Sequence, residues 1–533
     1  MRCRSHPVVE ILALAFVCVL LACTRAQPQF DTKRHPLIVL GIDGAEWSVI
    51  HKLWKNGELP NLKRLAEEGT SAVLETDYGI SPVIWTTMAT GRKPEDHGIT
   101  DFTVNTADGM VPVSSTVRKV PALWNMASRA GLNATVVGWW ASWPAEEING
   151  VVVSDRAHLQ LERIVFPQTM EQTFSGEREK AKKEYPGFAD GRSADDRWMQ
   201  DGAFRDRIIS HEARRLARAP FDVLFAYWRC VDIASHRYWT YYEPENYSDV
   251  RTAQVQEKAD IIPTVYRTVD QAVGDVLAAA PEDSNVIVVS DHGFFAGAEQ
   301  HFVYLSMSRL LEILGFLVRD GDRVLFAQTT VFPVDSPPHA QIKKLRLSMA
   351  GRDPNGRVPP EAATQELERI SKALATVTYQ DGGPVFDLQR VDLPPGVDLI
   401  AKVRVDRPSL QIQIGKQLHE HVVEYINRIS GTHDKNTHGV FIAKGPDVTA
   451  GAEVTGISVN DIAPTVLFAL GLPVAEDFVG RAQTGLFTEH FRAHHALRTI
   501  PTWGTTASWG TTESAADSRL VDELRALGYM GEQ

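Results

Sequence analysis

Four short segments of the chain carry side chains of the kind that bind divalent cations. They are Gly41–Gly44 with Asp43, Asp232–His236, Ser290–Gly293 with Asp291 and His292, and Gly431–His433. Zinc takes carboxylate oxygens and imidazole nitrogens as ligands, and two ions about 4 Å apart can hold both the attacking and the leaving oxygen of a phosphoryl displacement. The residue types therefore predict two divalent metal ions, with Zn²⁺ as the first expectation and Mn²⁺ as the alternative.

The spacing inside two of these segments limits how they can serve one site. Asp232 and His236 are four residues apart, so on a helical turn both side chains lie on the same side. Asp291 and His292 are adjacent, and within a strand they would point to opposite faces. We therefore expect this pair just beyond the end of a strand, where both can face one crevice.

Two histidines compete for the last ligand position. His433 lies in the polar turn Gly431–His433, whereas His438 immediately precedes the apolar run Gly439–Ala443. The sequence favours His433 as the ligand. His438 is then expected either to contact the ligand residues without binding the metal or to lie on the surface.

A serine in a fifth segment is a candidate nucleophile. Ser81 and Pro82 precede a helix-compatible run to Gly91, which suits Ser81 as the N-cap and Pro82 as the first helical residue. A helix N-terminus favours an anion, and a nearby metal or base activates a serine hydroxyl. A capping serine needs no chemistry, so both roles stay open at this point. His97, in a Pro-x-x-His-Gly turn, is expected to be structural.

The elements that must position these residues alternate between strands and helices. Apolar runs predict strands at 36–42, 134–139, 151–153, 221–227, 286–289 and 439–443, and helical periodicity predicts helices at 59–66, 204–217, 262–280, 362–375, 459–472 and 517–527. Such alternation is typical of an α/β fold with a mostly parallel central sheet and helices on both faces. Side chains at the carboxyl ends of parallel strands converge on one crevice.

Composition divides the chain into five parts. Residues 1–22 are predicted to be a signal peptide, 23–35 a tether, 36–299 with 431–500 the catalytic domain, and 501–533 a C-terminal tail. Residues 300–430 contain Pro- and Gly-rich turns between short regular elements. This pattern predicts an inserted, smaller α+β lobe that lies over the main crevice as a lid.

The N-terminus has the features of an export signal. Arg2 and Arg4 precede the apolar stretch Ile11–Ala22, which is shorter than the roughly 20 residues of a transmembrane helix. Its end, Leu20–Cys23, resembles the lipobox of bacterial lipoproteins. We therefore expect an exported protein of the bacterial cell envelope, anchored in the periplasm or at the cell surface through a lipid on Cys23. Secretion with cleavage nearby is the alternative.

Cysteine usage agrees with this interpretation. Cys3 and Cys18 would leave with the signal and Cys23 would carry the lipid, so Cys230 alone remains inside the mature chain. An internal disulfide is then excluded. Cys230 lies in a strand-like run and is expected to be a buried, small apolar residue.

Composition also limits the partners. Apolar residues make up 44% of the chain and charged residues 23%, as in ordinary globular proteins. The formal net charge of −12 gives no basic surface for a nucleic-acid polymer, so none is expected. The partner that the candidate site implies is a small-molecule phosphate ester. The oligomeric state is not predicted.

Taken in order, these segments resemble the type I phosphodiesterase and nucleotide pyrophosphatase family of the alkaline phosphatase superfamily. The resemblance covers nearly all of the mature chain and rests on motifs at 41–44, 81–98, 138–146, 232–236, 291–293, 351–356, 431–433 and 460–473. It implies an alkaline phosphatase-like fold and a metal-dependent hydrolase of phosphoric esters, with diesters as the first expectation.

The resemblance also implies roles for the site residues. One zinc would be held by Asp232, His236 and His433, and the other by Asp43, Asp291 and His292 together with the Ser81 oxygen. Ser81 would attack phosphorus, and the covalent phosphoserine would then be hydrolysed. Nucleotide-cleaving relatives have a threonine nucleophile and an asparagine soon after the His-Gly turn, where this chain has Ser81 and Thr100–Phe102. The sequence therefore does not predict a nucleotide substrate.

Three other functions are compatible with the same features. Sulfatases of this superfamily convert a Cys or Ser to formylglycine in a Cys/Ser-x-Pro-x-Arg context, but here Pro82 comes one position early and Trp85 occupies the Arg position. A phosphotransferase would pass phosphate from Ser81 to an alcohol acceptor. A non-catalytic envelope lipoprotein would keep the fold and lose the chemistry, although none of the expected ligand types is missing.

Overall fold

The computed structural model describes most of the chain. It covers residues 34–526 except 107–108, 185–196, 248–249, 251, 298–300, 322, 335, 337–340, 391–392, 394–395, 406–407, 429 and 507–510. The predicted signal peptide, Cys23 and the tether as far as residue 33 lie outside the described residues. Within the described part, no helix is both long enough and apolar enough to cross a membrane.

An eight-stranded sheet forms the centre of the fold. In chain order its strands are β1 (Leu37–Ile42), β2 (Thr70–Leu74), β3 (Ala134–Val137), β4 (Gly150–Val153), β5 (Val165–Phe166), β6 (Val223–Trp228), β7 (Asn285–Val289) and β8 (Gly439–Lys444). They lie side by side in the order β2–β8–β7–β1–β6–β3–β4–β5. Strands β7, β1, β6, β3 and β4 are parallel, while β2, β8 and β5 each pair antiparallel with a neighbour.

Strand β1 lies in the interior of the protein. All of its residues are buried, and alternate side chains enter different hydrophobic clusters. Ile38 and Leu40 pack on one face of the sheet, and Leu37 and Val39 pack on the other. Because side chains alternate across a strand, a strand that is apolar throughout needs cover on both faces. The two neighbours, β6 and β7, are also buried over their full length.

Helices supply that cover on both faces. On the Ile38 face pack Trp47–Lys55, Pro60–Glu68, Arg197–Leu216, Cys230–Tyr242 and Ile261–Ala279; on the Leu37 face pack Ser81–Thr90, Leu123–Arg129 and Ile462–Ala469. Glu171–Glu184 also packs on the Ile38 face and Glu489–His494 on the Leu37 face, and the remaining helices are Pro94–His97, Thr252–Lys258, Met307–Ile313, Ala363–Ala375 and Asp517–Ala526. The predicted α/β fold, with its mostly parallel sheet covered on both faces, is confirmed.

Residues 301–428 have a hydrophobic cluster of their own. The first and last strands of this segment, His301–Leu305 and Val423–Arg428, pair antiparallel and form a two-stranded stem. Buried residues from Val303 to Val423 pack into a cluster separate from the two that flank the central sheet. Antiparallel sheets are formed by Val331–Pro333, Ile342–Leu347, Leu399–Val403 and Phe386–Gln389, and by Val377–Tyr379, Ile412–Ile414 and Gln417–His419. The predicted domain boundaries and the lid role stay predictions.

The described residues also form four short strand pairs. They are Thr103–Thr106 with Gly109–Pro112, Phe295–Ala296 with Gly431–Thr432, Arg319–Asp320 with Arg323–Val324, and Val474–Ala475 with Thr499–Ile500. The second of these pairs connects two parts of the candidate site.

Two local expectations differ from the structure. The periodicity over 459–472 predicts one helix, but a 3₁₀ turn at Val459–Asp461 leads into the helix Ile462–Ala469. That helix ends early because Gly471 adopts a φ of 61°, which reverses the chain after the last turn. Cys230 is buried as expected, yet it begins a helix, because β6 already ends at Trp228.

Candidate active site

The candidate ligands lie where three adjacent strands end. Asp43 directly follows β1, and Asp291 and His292 follow β7 after a single residue. Asp232 lies in the first turn of the helix that follows β6. These strands are parallel neighbours in the order β7–β1–β6. Their carboxyl ends therefore bring the four side chains to one edge of the sheet.

Hydrogen bonds join the turns that follow β1 and β7. The Ser290 hydroxyl accepts a hydrogen bond from Ala45 N at 2.8 Å and donates one to the His292 carbonyl, also at 2.8 Å. Asp291 Oδ1 accepts a hydrogen bond from Gly44 N at 3.2 Å. These bonds hold the turn that carries Asp43 against the turn that carries Asp291 and His292.

His433 reaches the same edge from a distant part of the chain. The short ladder of Phe295–Ala296 with Gly431–Thr432 joins the turn after His292 to the turn before His433. The centroids of the His292 and His433 rings are 3.5 Å apart, and the rings are nearly parallel. His438 is exposed, and its Nδ1 faces Thr76 N at 3.4 Å. The structure therefore brings His433 into the cluster and leaves His438 outside it.

Asp232 and His236 lie on successive turns of the helix Cys230–Tyr242, as their spacing predicts. His236 Nε2 lies 3.4 Å from Asp232 Oδ1. His236 Nδ1 lies 3.1 Å from the Gly431 carbonyl, which can only accept, so Nδ1 carries the ring proton in this contact. Glycine is needed at 431 for the close approach, since a Cβ there would lie 2.3 Å from the Ser235 carbonyl.

His292 lies at the centre of the cluster. Its Nδ1 donates to the Gly293 carbonyl at 3.0 Å, which leaves a lone pair on Nε2. Around Nε2 lie Asp291 Oδ2 at 3.2 Å, Asp43 Oδ1 at 3.8 Å and Asp232 Oδ1 at 3.9 Å. Asp291 Oδ2 receives no hydrogen bond from any described residue. Buried acceptors that face one another in this way are costly unless a cation lies among them.

Burial sets the charge state of these groups. It raises the pKa of Asp43, with help from the Asp232 charge, and it raises the pKa of Asp291, with help from Asp43. It lowers the pKa of His292 and of His433, which keeps both imidazoles neutral at pH 7. Burial also acts to raise the pKa of Asp232, but the neighbouring histidines outweigh it and the net shift is downward. Asp232 therefore stays ionised at pH 7, and a cation bound nearby would favour the ionised form of Asp43 and Asp291.

The donor set fits a pair of divalent cations. Ligand atoms of Asp43, Asp291 and His292 lie within 4.8 Å of one another, and so do those of Asp232, His292 and His433. Aspartate oxygens and neutral imidazole nitrogens are ligands that zinc accepts. His292 belongs to both groups, and His236 adjoins the second through Asp232. The resemblance instead assigns His292 to one ion and His236 to the other, and that division stays a prediction.

Ser81 lies against this cluster at the start of the helix Ser81–Thr90. It is 2% exposed, and its Oγ lies 3.1 Å from His292 Nε2. The expectation that Ser81 caps the helix is wrong, because Ile80 is the N-cap and Ser81 is already helical. Pro82 fits the second position as well as the first, since neither position requires its missing N–H. The Ser81 hydroxyl is therefore not used for capping and donates to the lone pair on His292.

Two aromatic residues that the sequence did not assign to the site hold Asp43. The Tyr227 hydroxyl donates to Asp43 Oδ2, and Trp85 Nε1 faces Asp43 Oδ1 at 3.4 Å. Trp85 lies one turn after Ser81, so it connects the helix that carries Ser81 to Asp43. A Cβ on Gly41 would lie 2.7 Å from Trp85 Cζ3. The glycine two residues before Asp43 is thus a sequence signal for this contact.

His97 lies in the structural position that the sequence predicts. Its Nε2 is 3.2 Å from Thr87 Oγ1, and its Nδ1 accepts a hydrogen bond from Ile99 N at 3.2 Å. Burial lowers its pKa to about 3. The side chain joins the helix Ser81–Thr90 to the turn that follows it.

Comparison with known proteins gave one family and several structural neighbours. The type I phosphodiesterase / nucleotide pyrophosphatase family matches residues 37–407. A search of curated proteins found no match. Human ectonucleotide pyrophosphatase / phosphodiesterase 5 shares 13% identity, with 85% of this chain and 100% of that chain covered and a TM-score of 0.46. Phosphonoacetate hydrolase from Sinorhizobium meliloti, solved with phosphonoformate, shares 14% identity, with 83% and 96% covered and a TM-score of 0.45.

Proposed function

The chain belongs to the type I phosphodiesterase / nucleotide pyrophosphatase family, and from this premise we propose that it hydrolyses phosphoric diesters through Ser81 with two divalent cations. Membership of this family makes it a hydrolase that acts on phosphoric ester bonds. The finer proposal is carried by one observation, the convergence of Ser81 Oγ and three aspartate oxygens on His292 Nε2. Zn²⁺ is the proposed metal, because carboxylates and neutral imidazoles make up the donor set.

The proposed ligands come from the strand-end cluster. Asp43, Asp291 and His292 would hold one ion, and Asp232, His236 and His433 the other. When bound, such a pair supplies positive charge that stabilises phosphoryl oxygens and lowers the pKa of a nearby hydroxyl. The hydrogen bonds from Nδ1 of His236 and His292 to backbone carbonyls support the proposal, since they turn each Nε2 lone pair toward the cluster.

Ser81 performs the covalent step in the proposed reaction. Oγ forms a bond to phosphorus as the bond from phosphorus to the leaving oxygen breaks, and the hydroxyl proton ends on the released alcohol. Water then attacks phosphorus, the bond to Oγ breaks, and one proton of that water returns to the serine. The helix Ser81–Thr90 supports this role, because its N-terminal end favours negative charge on the first helical residue.

A substrate panel on the zinc-loaded protein tests the reaction class. Bis(para-nitrophenyl) phosphate, para-nitrophenyl phosphate and para-nitrophenyl sulfate release the same chromophore, so their kcat/KM values can be compared directly. We expect the diester to be the best substrate of the three. A preference for the monoester or the sulfate ester would contradict the proposal, and product analysis with added alcohols would reveal phosphate transfer.

Replacement of Ser81 tests the nucleophile. Ser81→Ala should lower kcat by at least about 10³-fold, because removal of a covalent nucleophile leaves only binding and electrostatic stabilisation. The metal content should stay at the wild-type value. Ser71→Ala, which changes an exposed serine in β2, is the matched control and should retain full activity. A Ser81→Ala protein that turns over at the wild-type rate would refute the assignment.

Export and anchoring are proposed on the N-terminal sequence alone. Leu20–Cys23 supports a lipid on Cys23 of the mature chain. In a bacterial host fed with labelled palmitate, the wild-type protein should become labelled and Cys23→Ser should not. An unlabelled wild-type protein would contradict the anchor.

A further inference from the structure

We propose that Phe294 is a positioning residue, whose ring holds the ligand-bearing segments in the arrangement that metal binding requires. This inference rests on the proposed function, because it concerns the same pair of cations. Phe294 lies two residues after His292 and is 4% exposed. Its side chain has no polar atom, so any effect on the site must act through packing.

The ring of Phe294 contacts three of the candidate ligand histidines. Its centroid lies 4.8 Å from the ring of His236, 5.5 Å from that of His292 and 5.3 Å from that of His433. The contacts with His236 and His433 are edge-on, with interplanar angles of 79° and 68°. Edge-to-face contacts depend on the relative orientation of the rings. One side chain therefore restrains imidazoles that come from three separate parts of the chain.

The same ring also contacts the turn that carries Asp43. A Cβ on Gly44 would lie only 2.6 Å from Phe294 Cε2, so the ring packs directly against this backbone. Phe294 thus connects all four segments that contain the proposed ligands. Gly44 also has a φ of 67°, a conformation that glycine adopts without strain.

Phe294 is itself held in place. Its ring stacks on Trp239, with centroids 5.8 Å apart and an interplanar angle of 21°. Trp239 belongs to the helix Cys230–Tyr242, which also carries Asp232 and His236. The backbone N–H of Phe294 donates to Glu46 Oε2 at 3.1 Å. The ring therefore has little freedom to move away from the histidines.

Groups that orient metal ligands affect affinity even though they do not touch the metal. Loss of such a group typically weakens metal binding by about 10- to 100-fold. Each of His236 and His292 has a hydrogen bond from Nδ1 to a backbone carbonyl, which fixes the tautomer and one edge of the ring. The Phe294 contacts add apolar packing against both rings, and for His433 they supply an edge-on neighbour.

The test compares the same substitution at two adjacent residues. Phe294→Met removes the flat ring and keeps a similar apolar volume. Phe295→Met is the matched control, because Phe295 directly follows Phe294, begins the short strand Phe295–Ala296 and is 37% exposed. Zinc affinity is measured by competition with a chromophoric chelator, which needs no substrate. We expect affinity about 10- to 100-fold weaker for Phe294→Met and unchanged for Phe295→Met.

Other results would overturn the inference. Wild-type affinity in Phe294→Met would show that the ring is not needed, and an equal loss in both variants would show that the effect belongs to the strand. If Phe294→Met does not fold, Phe294→Leu is measured in the same way with the same expectation. A wild-type protein that binds no pair of divalent ions would refute the proposed function itself, so the two failures are distinguishable.

Discussion

Replacing Asp291 with asparagine should have opposite effects on the metal-free and the metal-loaded protein. Asparagine keeps the size of the side chain and an acceptor for Gly44 N, which donates to Asp291 Oδ1 at 3.2 Å. It removes one negative charge from a buried cluster that also contains Asp43 and Asp232. The metal-free protein should therefore become more stable, whereas the loaded protein should lose a ligand and the stability that metal binding adds.

The distances give the size of the first effect. Ligand oxygens of Asp43 and Asp291 lie within 4.8 Å of each other, and two like charges at that separation repel by about 3.5 kcal/mol at an effective dielectric constant near 20. Protonation limits this cost, because burial and the Asp43 charge raise the pKa of Asp291 in the folded protein. We expect Asp291→Asn to raise the metal-free unfolding free energy by about 1–3 kcal/mol at pH 7.

The pH dependence follows from the same shift. A carboxyl group whose folded pKa is raised stabilises the fold when it is protonated, and that stability is lost as the pH rises through the folded pKa. The Asp291 carboxyl should therefore add more stability to the metal-free wild-type protein as the pH falls from 7, so the advantage of Asp291→Asn over the wild type should shrink in the same direction.

Both effects are measured by thermal and urea unfolding. Unfolding is monitored by circular dichroism, once in the presence of a chelator and once in the presence of Zn²⁺. Asp283→Asn is the control, because Asp283 is an exposed carboxylate near the start of β7 and should change neither curve. The reasoning is refuted if Asp291→Asn destabilises the chelated protein as much as the loaded one.

Two further predictions concern groups around the site. Gly293→Ala would place a Cβ 2.0 Å from Glu46 Oε2 and 2.8 Å from the His438 carbonyl, so it should lower the unfolding free energy by about 1–3 kcal/mol and displace His292. Gly176→Ala, with nothing within 4 Å in a helix, should instead be neutral or slightly stabilising in the same melts. Burial lowers the pKa of His97 to about 3, so the unfolded chain binds more protons between that pH and about 6.5. The contribution of His97 to stability should therefore fall as the pH falls through this window, so the Tm of the wild-type protein should decrease relative to that of His97→Asn; a constant difference in Tm between the two proteins would contradict this.

The central strands could be predicted because burial on both faces of a strand requires apolar residues throughout its length. Strands β1, β6 and β7 are buried on both faces and appear as continuous apolar runs. The edge strands β2 and β5 could not be predicted in the same way. Strand β2 is partly exposed and mixed in composition, and β5 spans only two residues.

Part of the candidate site could likewise be predicted from the sequence, and part could not. Asp43, Asp291 and His292 could be grouped because each follows a predicted strand closely. The choice between His433 and His438 depends on the ladder of Phe295–Ala296 with Gly431–Thr432, which is too short to leave a periodic pattern.

The aromatic residues around the ligands could not be found from the sequence. Tyr227, Trp85 and Phe294 are all buried, and large buried aromatic residues are usual in any core. Their part in the site comes from contacts between residues far apart in the chain. The nearest signals are Gly41 and Gly44, whose missing side chains make room for Trp85 and Phe294.

The most direct test of the two-cation site is an anomalous diffraction map from crystals of the zinc-loaded protein. The proposed function predicts two peaks at the carboxyl edge of the sheet, each about 2.0–2.2 Å from its ligand atoms. One peak should lie among Asp43, Asp291 and His292, and the other among Asp232, His236 and His433. Ser81 Oγ should lie beside the first peak. A map with no peak at this edge, or with peaks only at other side chains, would contradict the proposed function.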